Sequence, residues 1–203
     1  ILFLFCPFLL HSTQAQVVYE EDFPNNWGFG LSVNTGCIIP TASLKRVLNV
    51  MPSIGISMDG RFKNLYFGLD ADMGLSKRKR DLIYKKDNEV WEKGKIQSLE
   101  TITFHVGYTI YNAQILRVTP QAFIGANLMP PIVDGNDDDE NSVSGTLAYG
   151  PGCLIDYKLF GWGNDLSTAI RLYYQFNVAN LDKHYSDSMG NFHRVGLSLY
   201  IEF

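Results

Sequence analysis

Acidic, basic and histidine side chains recur at every second position within segments that otherwise alternate between apolar and small polar residues. Acids and bases are present in similar number. The members of this set are Asp59, Arg61, Asp70, Asp72, His105, Arg117, Asp156, Lys158, Arg171, Arg194 and Glu202. Such charges need partners when they are removed from water, since an unpaired buried ion is strongly destabilising. We therefore predict a salt-bridge network of Asp59, Arg61, Arg117, Asp156, Lys158, Arg171, Arg194 and Glu202.

His105 is the member of this set that is most typical of general-base chemistry. A catalytic base also requires a nucleophile and an orienting acid within hydrogen-bond reach. Alternation places Thr103 and Gly107 on its face, but no serine beside it. We predict a structural histidine, no catalytic residue, no cofactor and no enzyme activity. A membrane-embedded enzyme built around His105 stays as an alternative.

Two further segments carry charge outside the alternating pattern. The first is basic and could contact phosphates or acidic polymers. Its candidate anion-contact residues are Lys77, Arg78, Lys79, Arg80, Lys85 and Lys86. The second is acidic, and its calcium candidates are Asp137, Asp138, Asp139 and Glu140. The spacing of the second differs from the EF-hand pattern, so we predict no metal site.

Period-two alternation runs from Trp27 to the last residue and predicts an all-β chain. We predict strands over 27–38, 50–61, 65–75, 99–111, 115–127, 146–159, 166–178 and 192–203. Their length suits tilted membrane-spanning strands. The connections alternate long and short, as in barrels with long external loops and short periplasmic turns. The fold class is therefore an eight-stranded antiparallel up-and-down transmembrane β-barrel, with both termini periplasmic.

The polar face of each strand holds mostly Gly, Ser, Thr, Asn and Gln, whereas a soluble barrel would expose Lys and Glu there. This composition suits a narrow, side-chain-filled lumen. Aromatic residues that match an interfacial belt near the periplasmic rim are Trp27, Phe29, Tyr157, Phe160, Trp162 and Phe203. A soluble lipocalin-like binder, with the apolar face inward, stays as an alternative.

Residues 1–15 form a short apolar run with small residues at its end, which predicts a signal peptide before a barrel domain over 16–203. Cys37 and Cys153 fall on strands that are not neighbours, so we predict two free thiols. The net charge of −4 argues against a nucleic-acid partner. At Pro52, Pro120 and Pro151 we expect bulges or strand ends, because proline lacks a ladder donor.

The last nine residues, Val195–Phe203, alternate apolar and polar positions and end on Phe203. This strand resembles the closing strand of small bacterial outer-membrane β-barrel families typified by OmpX and the OmpA barrel, especially those of Bacteroidota. The resemblance implies an outer-membrane location, lipopolysaccharide as a neighbour, and recognition of the terminal strand by the barrel assembly machinery. We expect a structural or surface-interaction barrel, with a porin-like small-solute channel as an alternative.

Overall fold

The computed structural model describes residues 27–85, 88–113, 115–130, 145–160, 166–179, 181, 184–185 and 190–203. The predicted signal peptide, Lys86, Trp162 and the acidic segment Asp137–Glu140 lie outside the described residues. The described part of the chain contains no helix with the length and hydropathy of a transmembrane span.

Eight long antiparallel strands close into a barrel, which confirms the predicted fold class. In chain order the elements are β1 Trp27–Pro40, α1 Leu44–Val47, β2 Met51–Phe62, β3 Leu65–Lys77, β4 Leu82–Tyr84, β5 Glu89–Trp91, β6 Ile96–Tyr108, β7 Tyr111–Asn112, β8 Leu116–Leu128, β9 Gly145–Phe160, β10 Ser167–Ala179 and β11 Phe192–Glu202. Each barrel strand pairs with its sequence neighbour; β1 pairs with β11, and β6 pairs with β8 past the short β7.

Alternation in the sequence becomes alternation between the outside and the inside of the barrel. On β11, Leu197 and Leu199 are exposed, the latter by 53%, whereas Ser198 and Tyr200 are buried. The other barrel strands repeat this division, with large apolar residues outside and polar or charged residues inside. The lipocalin-like alternative is therefore wrong, because that fold needs the apolar face inward.

Proline disturbs the sheet less than expected. Pro52 is the second residue of β2, a strand end as predicted. Pro120 and Pro151 keep continuous register between β8 and β9, so a bulge or strand end at Pro120 is wrong. At Pro151 the pairing of β9 with β10 is interrupted between Gln175 and Val178. Proline has no backbone N–H to donate. Pro120 is tolerated because the pairing of β8 with β6 begins only at the next residue, Gln121. The register shift of the sheet lies instead between Thr168 and Ala169, where β10 pairs with β9.

The two ends of the barrel differ in structure. The short connections from β2 to β3 and from β6 to β8 lie at the end that holds Trp27 and Phe203, which we call the termini end. The opposite end, the loop end, carries α1 and the β4–β5 hairpin. Apolar residues from these elements and from the strand ends form one buried cluster there, which we call the cap. Cys37 on β1 and Cys153 on β9 are both free thiols.

Candidate functional site

Buried acids and bases inside the barrel form one continuous chain in which acidic and basic groups alternate, and we call it the charged ladder. Each ion pair between successive members is 3.9 Å or shorter. From the termini end its order is Arg61, Glu202, Arg117, Asp156, Arg171, Asp59, His105, Asp70, Arg194 and Asp72. Because every charge has a neighbour of opposite sign, the chain of ion pairs offsets part of the desolvation that burial imposes.

The ladder begins with two arginines that share Glu202. Arg61 Nε lies 2.6 Å from Glu202 Oε1, and Arg117 Nη1 lies 3.0 Å from Glu202 Oε2. Arg117 then contacts Asp156 Oδ2 through Nη2 at 2.8 Å. These residues come from β2, β11, β8 and β9, so the interactions tie together opposite walls of the barrel.

Arg171 on β10 occupies the middle of the ladder. Its Nε lies 2.6 Å from Asp156 Oδ1, and its Nη1 lies 2.6 Å from Asp59 Oδ2. The guanidinium also stacks 3.8 Å from the Tyr200 ring centre and 5.2 Å from that of Tyr66. A planar guanidinium can bond carboxylates at its edge while its face contacts aromatic rings, which lysine cannot reproduce.

His105 connects the two halves of the ladder through both of its ring nitrogens. Nδ1 lies 3.1 Å from Asp70 Oδ2. Nε2 lies 3.2 Å from Asp59 Oδ1, an ion-pair distance without hydrogen-bond alignment. Beyond it, Arg194 Nη2 lies 2.8 Å from Asp72 Oδ2. Both ring nitrogens thus face carboxylates, so neither is directed at a substrate.

A small polar cavity lies beside this half of the ladder. Its volume is about 10 Å³, which is room for about one water molecule. Ser57 lies on its wall together with His105, and Asn34 Nδ2 donates to Ser57 Oγ at 2.7 Å. A cavity of this size cannot admit an organic substrate, so the arrangement does not resemble an active site.

The predicted network and the observed ladder differ in membership. Lys158 Nζ donates to Asn112 Oδ1 at 2.7 Å and to the Ala113 carbonyl at 2.6 Å, so it anchors the turn after β7. Asp70, Asp72 and His105 belong to the ladder, although the predicted network omitted them. Alternation placed all three inside the barrel, but their height along the barrel axis depends on strand register.

Glycines allow the large side chains of the ladder to fill the lumen. A Cβ at Gly30 would overlap the Tyr200 ring, and one at Gly68 would collide with Asp59 and come 2.9 Å from His105. The lumen therefore leaves no space for side chains at these two positions. This tight fit is the physical reason for the glycine-rich inner face.

The cap closes the loop end above the ladder. Trp91 stacks on Tyr84 at 5.6 Å between ring centres and meets Tyr185 edge-on at 5.4 Å. Tyr185 also donates its hydroxyl to the Met129 carbonyl at 3.0 Å. Four connections between barrel strands thus contribute to the cap, whose buried apolar members are Ile38, Leu44, Val47, Leu48, Met51, Leu82, Tyr84, Trp91, Leu99, Met129, Ala179, Leu181, Tyr185 and Phe192.

Arg78 is a structural residue beside the cap, and its prediction as an anion-contact residue is wrong. Its side chain is buried. Nε donates to the Glu92 carbonyl and Nη1 donates to Gln97 Oε1, both at 3.0 Å. The guanidinium also lies 5.6 Å from the Trp91 ring centre. Its donors therefore satisfy acceptors within the protein instead of facing solvent.

The other described candidates of the basic segment lie at the surface of the loop end. Lys77 and Lys85 are exposed, and Lys79 and Arg80 are half-buried. The predicted set of anion-contact residues omitted Lys45 and Arg46, which α1 brings beside them. The charge of these two residues was visible in the sequence, but the pairing of connection 41–50 with residues 77–79 was not.

Solved structures of three outer-membrane proteins align with this chain. Neisserial surface protein A aligns with a TM-score of 0.51 at 14% identity over 88% of this chain and 96% of its own. Ail, the attachment invasion locus protein of Yersinia pestis, aligns with a TM-score of 0.45 at 9% identity over 88% and 100% of the respective chains. A major outer membrane protein from Thermus thermophilus aligns with a TM-score of 0.46 at 13% identity over 88% and 100%.

No protein-family model and no curated protein sequence matches the chain. The narrower resemblance to families of Bacteroidota stays a prediction. At 14% identity, the structural likeness to Neisserial surface protein A shows a shared fold. The chain has the fold of the small outer-membrane β-barrels.

Proposed function

We propose that this protein is an integral outer-membrane β-barrel without enzyme activity, in which a closed barrel supports a folded surface at its loop end. The observation that carries the proposal is the inverted polarity of the barrel. Charged residues are buried in the lumen, while large apolar side chains cover the outside. Apolar surface on this scale marks a membrane or protein interface, and a band around a closed barrel fits lipid.

The apolar band has the height that a bilayer requires. On β3 the exposed apolar positions extend from Leu65 to Leu75. Ten residues at about 3.4 Å each span about 34 Å along the strand. With the usual tilt of about 40–45°, this corresponds to about 25 Å along the membrane normal, which matches the typical apolar band.

The proposed orientation places the termini end in the periplasm. Aromatic residues mark this rim: Trp27 is 64% exposed, and Tyr157, Tyr108 and Phe203 are also exposed. Amphipathic rings favour the headgroup level of a bilayer. The short turns at this end and the long connections at the other correspond to the usual arrangement of outer-membrane barrels.

A closed lumen favours a supporting role over transport or catalysis. The ladder fills the barrel with paired charges, and the cap covers its loop end. Conduction would require both to rearrange, and breaking one buried ion pair costs about 3–5 kcal/mol. His105 has carboxylates at both nitrogens, which disfavours the membrane-enzyme alternative.

The test is gel migration of the outer-membrane fraction with and without boiling. A closed membrane barrel resists SDS, so we expect a shift in migration between unboiled and boiled samples. Protein in the soluble periplasmic fraction without a shift would contradict the proposal. Planar bilayer recordings on the same purified protein should be silent, and sustained conductance would overturn the closed lumen but not the membrane location.

A further inference from the structure

The loop end carries a group of cations contributed by two separate connections, which we call the cationic rim. It consists of Lys45 and Arg46 on α1, and Lys77 and Lys79 at the end of β3. We infer that the cationic rim binds the phosphate groups of lipopolysaccharide in the outer leaflet. This inference rests on the proposed function, since it requires the loop end to face outward.

Hydrogen bonds hold the two parts of the rim together. Lys79 donates its backbone N–H to the Val47 carbonyl at 2.7 Å and its Nζ to the Lys45 carbonyl at 2.8 Å. Asn49 Nδ2 donates to the Lys77 carbonyl at 3.1 Å. The α1 segment is therefore fixed beside the end of β3. The fixed backbone lowers the conformational cost of presenting several cations to one ligand.

Three of the four rim side chains are exposed and uncommitted, whereas the Lys79 Nζ already donates to the Lys45 carbonyl. Within the described residues, Lys45, Arg46 and Lys77 have exposed side chains that form no hydrogen bond or ion pair with another residue. The arginines of the charged ladder, by contrast, contact carboxylates inside the barrel. The chain thus keeps one group of cations for its own structure and leaves another available to an external anion.

The height of the rim identifies a membrane lipid as the source of that anion. Lys77 continues the outward-facing series of Met73 and Leu75 on β3. It lies two residues beyond Leu75, about 7 Å along the strand, and so just past the apolar band. A lysine at this level can extend its ammonium group to the headgroups while its methylene stem stays on apolar surface.

Phosphate is the anion that this position and composition fit best. The outer leaflet proposed for this end presents phosphorylated glycolipid at headgroup level. Clustered lysine and arginine side chains bind phosphate through charge-assisted hydrogen bonds. Several cations on one anionic surface add their attractions, which makes the binding sensitive to ionic strength.

The test measures binding of lipopolysaccharide to the full chain, folded in phosphatidylcholine nanodiscs. The test variant is Lys45→Gln, Arg46→Gln and Lys77→Gln together. Lys63→Gln is the matched control, because Lys63 is an exposed lysine on the turn at the termini end. At about fivefold for each charge near an anionic surface, the triple variant should bind about 100-fold more weakly, and the control should match the wild type.

Three further arms keep the inference falsifiable. Dephosphorylated lipopolysaccharide should lose the charge-dependent part of binding, and binding of the wild type should fall as salt rises. Inorganic pyrophosphate should compete weakly; if it binds as tightly as lipopolysaccharide, the ligand is a soluble phosphate and the lipid assignment is wrong. Equal binding by the triple variant and the wild type, in protein that still shows the gel shift, would overturn the inference while leaving the proposed function intact.

Discussion

Replacing Arg171 with methionine tests whether the charged ladder stabilises the barrel. Arg171 bonds Asp59 and Asp156, each at 2.6 Å, deep inside the lumen. After the replacement Asp156 still contacts Arg117 at 2.8 Å, but among the described residues Asp59 keeps only His105, at 3.2 Å, as an ion-pair partner. Breaking a buried pair by removing one partner costs about 3–5 kcal/mol. We expect Arg171→Met to lower the free energy of unfolding by that amount.

A second substitution separates lost attraction from the burial of an unpaired charge. If much of the loss comes from the carboxylate left on Asp59, then removing that charge should restore stability. We expect Arg171→Met with Asp59→Asn to be more stable than Arg171→Met alone, by about 1–2 kcal/mol. Lower stability of the double variant would refute this account of the ladder.

Urea titration in detergent micelles, followed by tryptophan fluorescence and by the gel shift, provides the free energies. Ile170→Val is the matched control, because Ile170 neighbours Arg171 on the lipid-facing side of β10. We expect its free energy of unfolding to stay within about 1 kcal/mol of the wild type. A change below about 1 kcal/mol for Arg171→Met would show that the ladder does not hold the barrel together.

Three further predictions concern the lumen, the cap and the last strand. Gly30→Val should prevent formation of the heat-modifiable species, because the added side chain would overlap the Tyr200 ring. Gly190→Ala is the control and should fold, because a Cβ there meets only Ser43, at 3.5 Å. Equal folding of both variants would refute the tight packing of the lumen. Trp91→Ala should destabilise the cap by about 3–5 kcal/mol and speed protease cleavage of the loop end, without changing the gel shift. Val90→Ala, on the exposed side of the same hairpin, should leave the rate of cleavage unchanged. The Phe203 backbone forms two hydrogen bonds with Phe29 where β1 meets β11, at 2.8 and 3.2 Å. Deletion of Phe203 should therefore lower the yield of inserted barrel. An unchanged yield would show that Phe203 has no role in assembly.

Strand positions and facing directions were predictable from the sequence because period-two alternation encodes both at once. On β11 a shift of one residue would turn Leu197 and Leu199 into the lumen, so the pattern admits one phase only. The same rule placed the ladder residues inside the barrel. Their identity as an interior group was therefore visible without coordinates.

Contacts within the lumen were less predictable, because they depend on the stagger between strands. His105 lies level with Asp70 and Asp59 only when β6, β3 and β2 take their observed register. Lys158 follows the alternation of β9, yet it satisfies a carbonyl and an amide of the turn after β7. Alternation does not reveal which partner lies nearest across a closed barrel.

The cap was not predicted at all. Strands β4 and β5 are each three residues long, too short for a periodic signal, and cations surround them in the sequence. Leu82, Tyr84 and Trp91 consequently resemble isolated apolar residues of a loop. Their burial depends on partners from other connections, such as Leu181 and Tyr185, that no local pattern identifies.

The central claim is that the apolar face of the barrel meets lipid and the charged face fills the lumen. A nitroxide scan along β11 in bilayers tests it most directly. The three native cysteines, Cys6, Cys37 and Cys153, are first replaced by serine, and single cysteines are then introduced from Leu197 to Ile201. We predict high accessibility to lipid-soluble oxygen at residues 197, 199 and 201 and low accessibility at Ser198 and Tyr200. The opposite phase, or no alternation, would contradict the account.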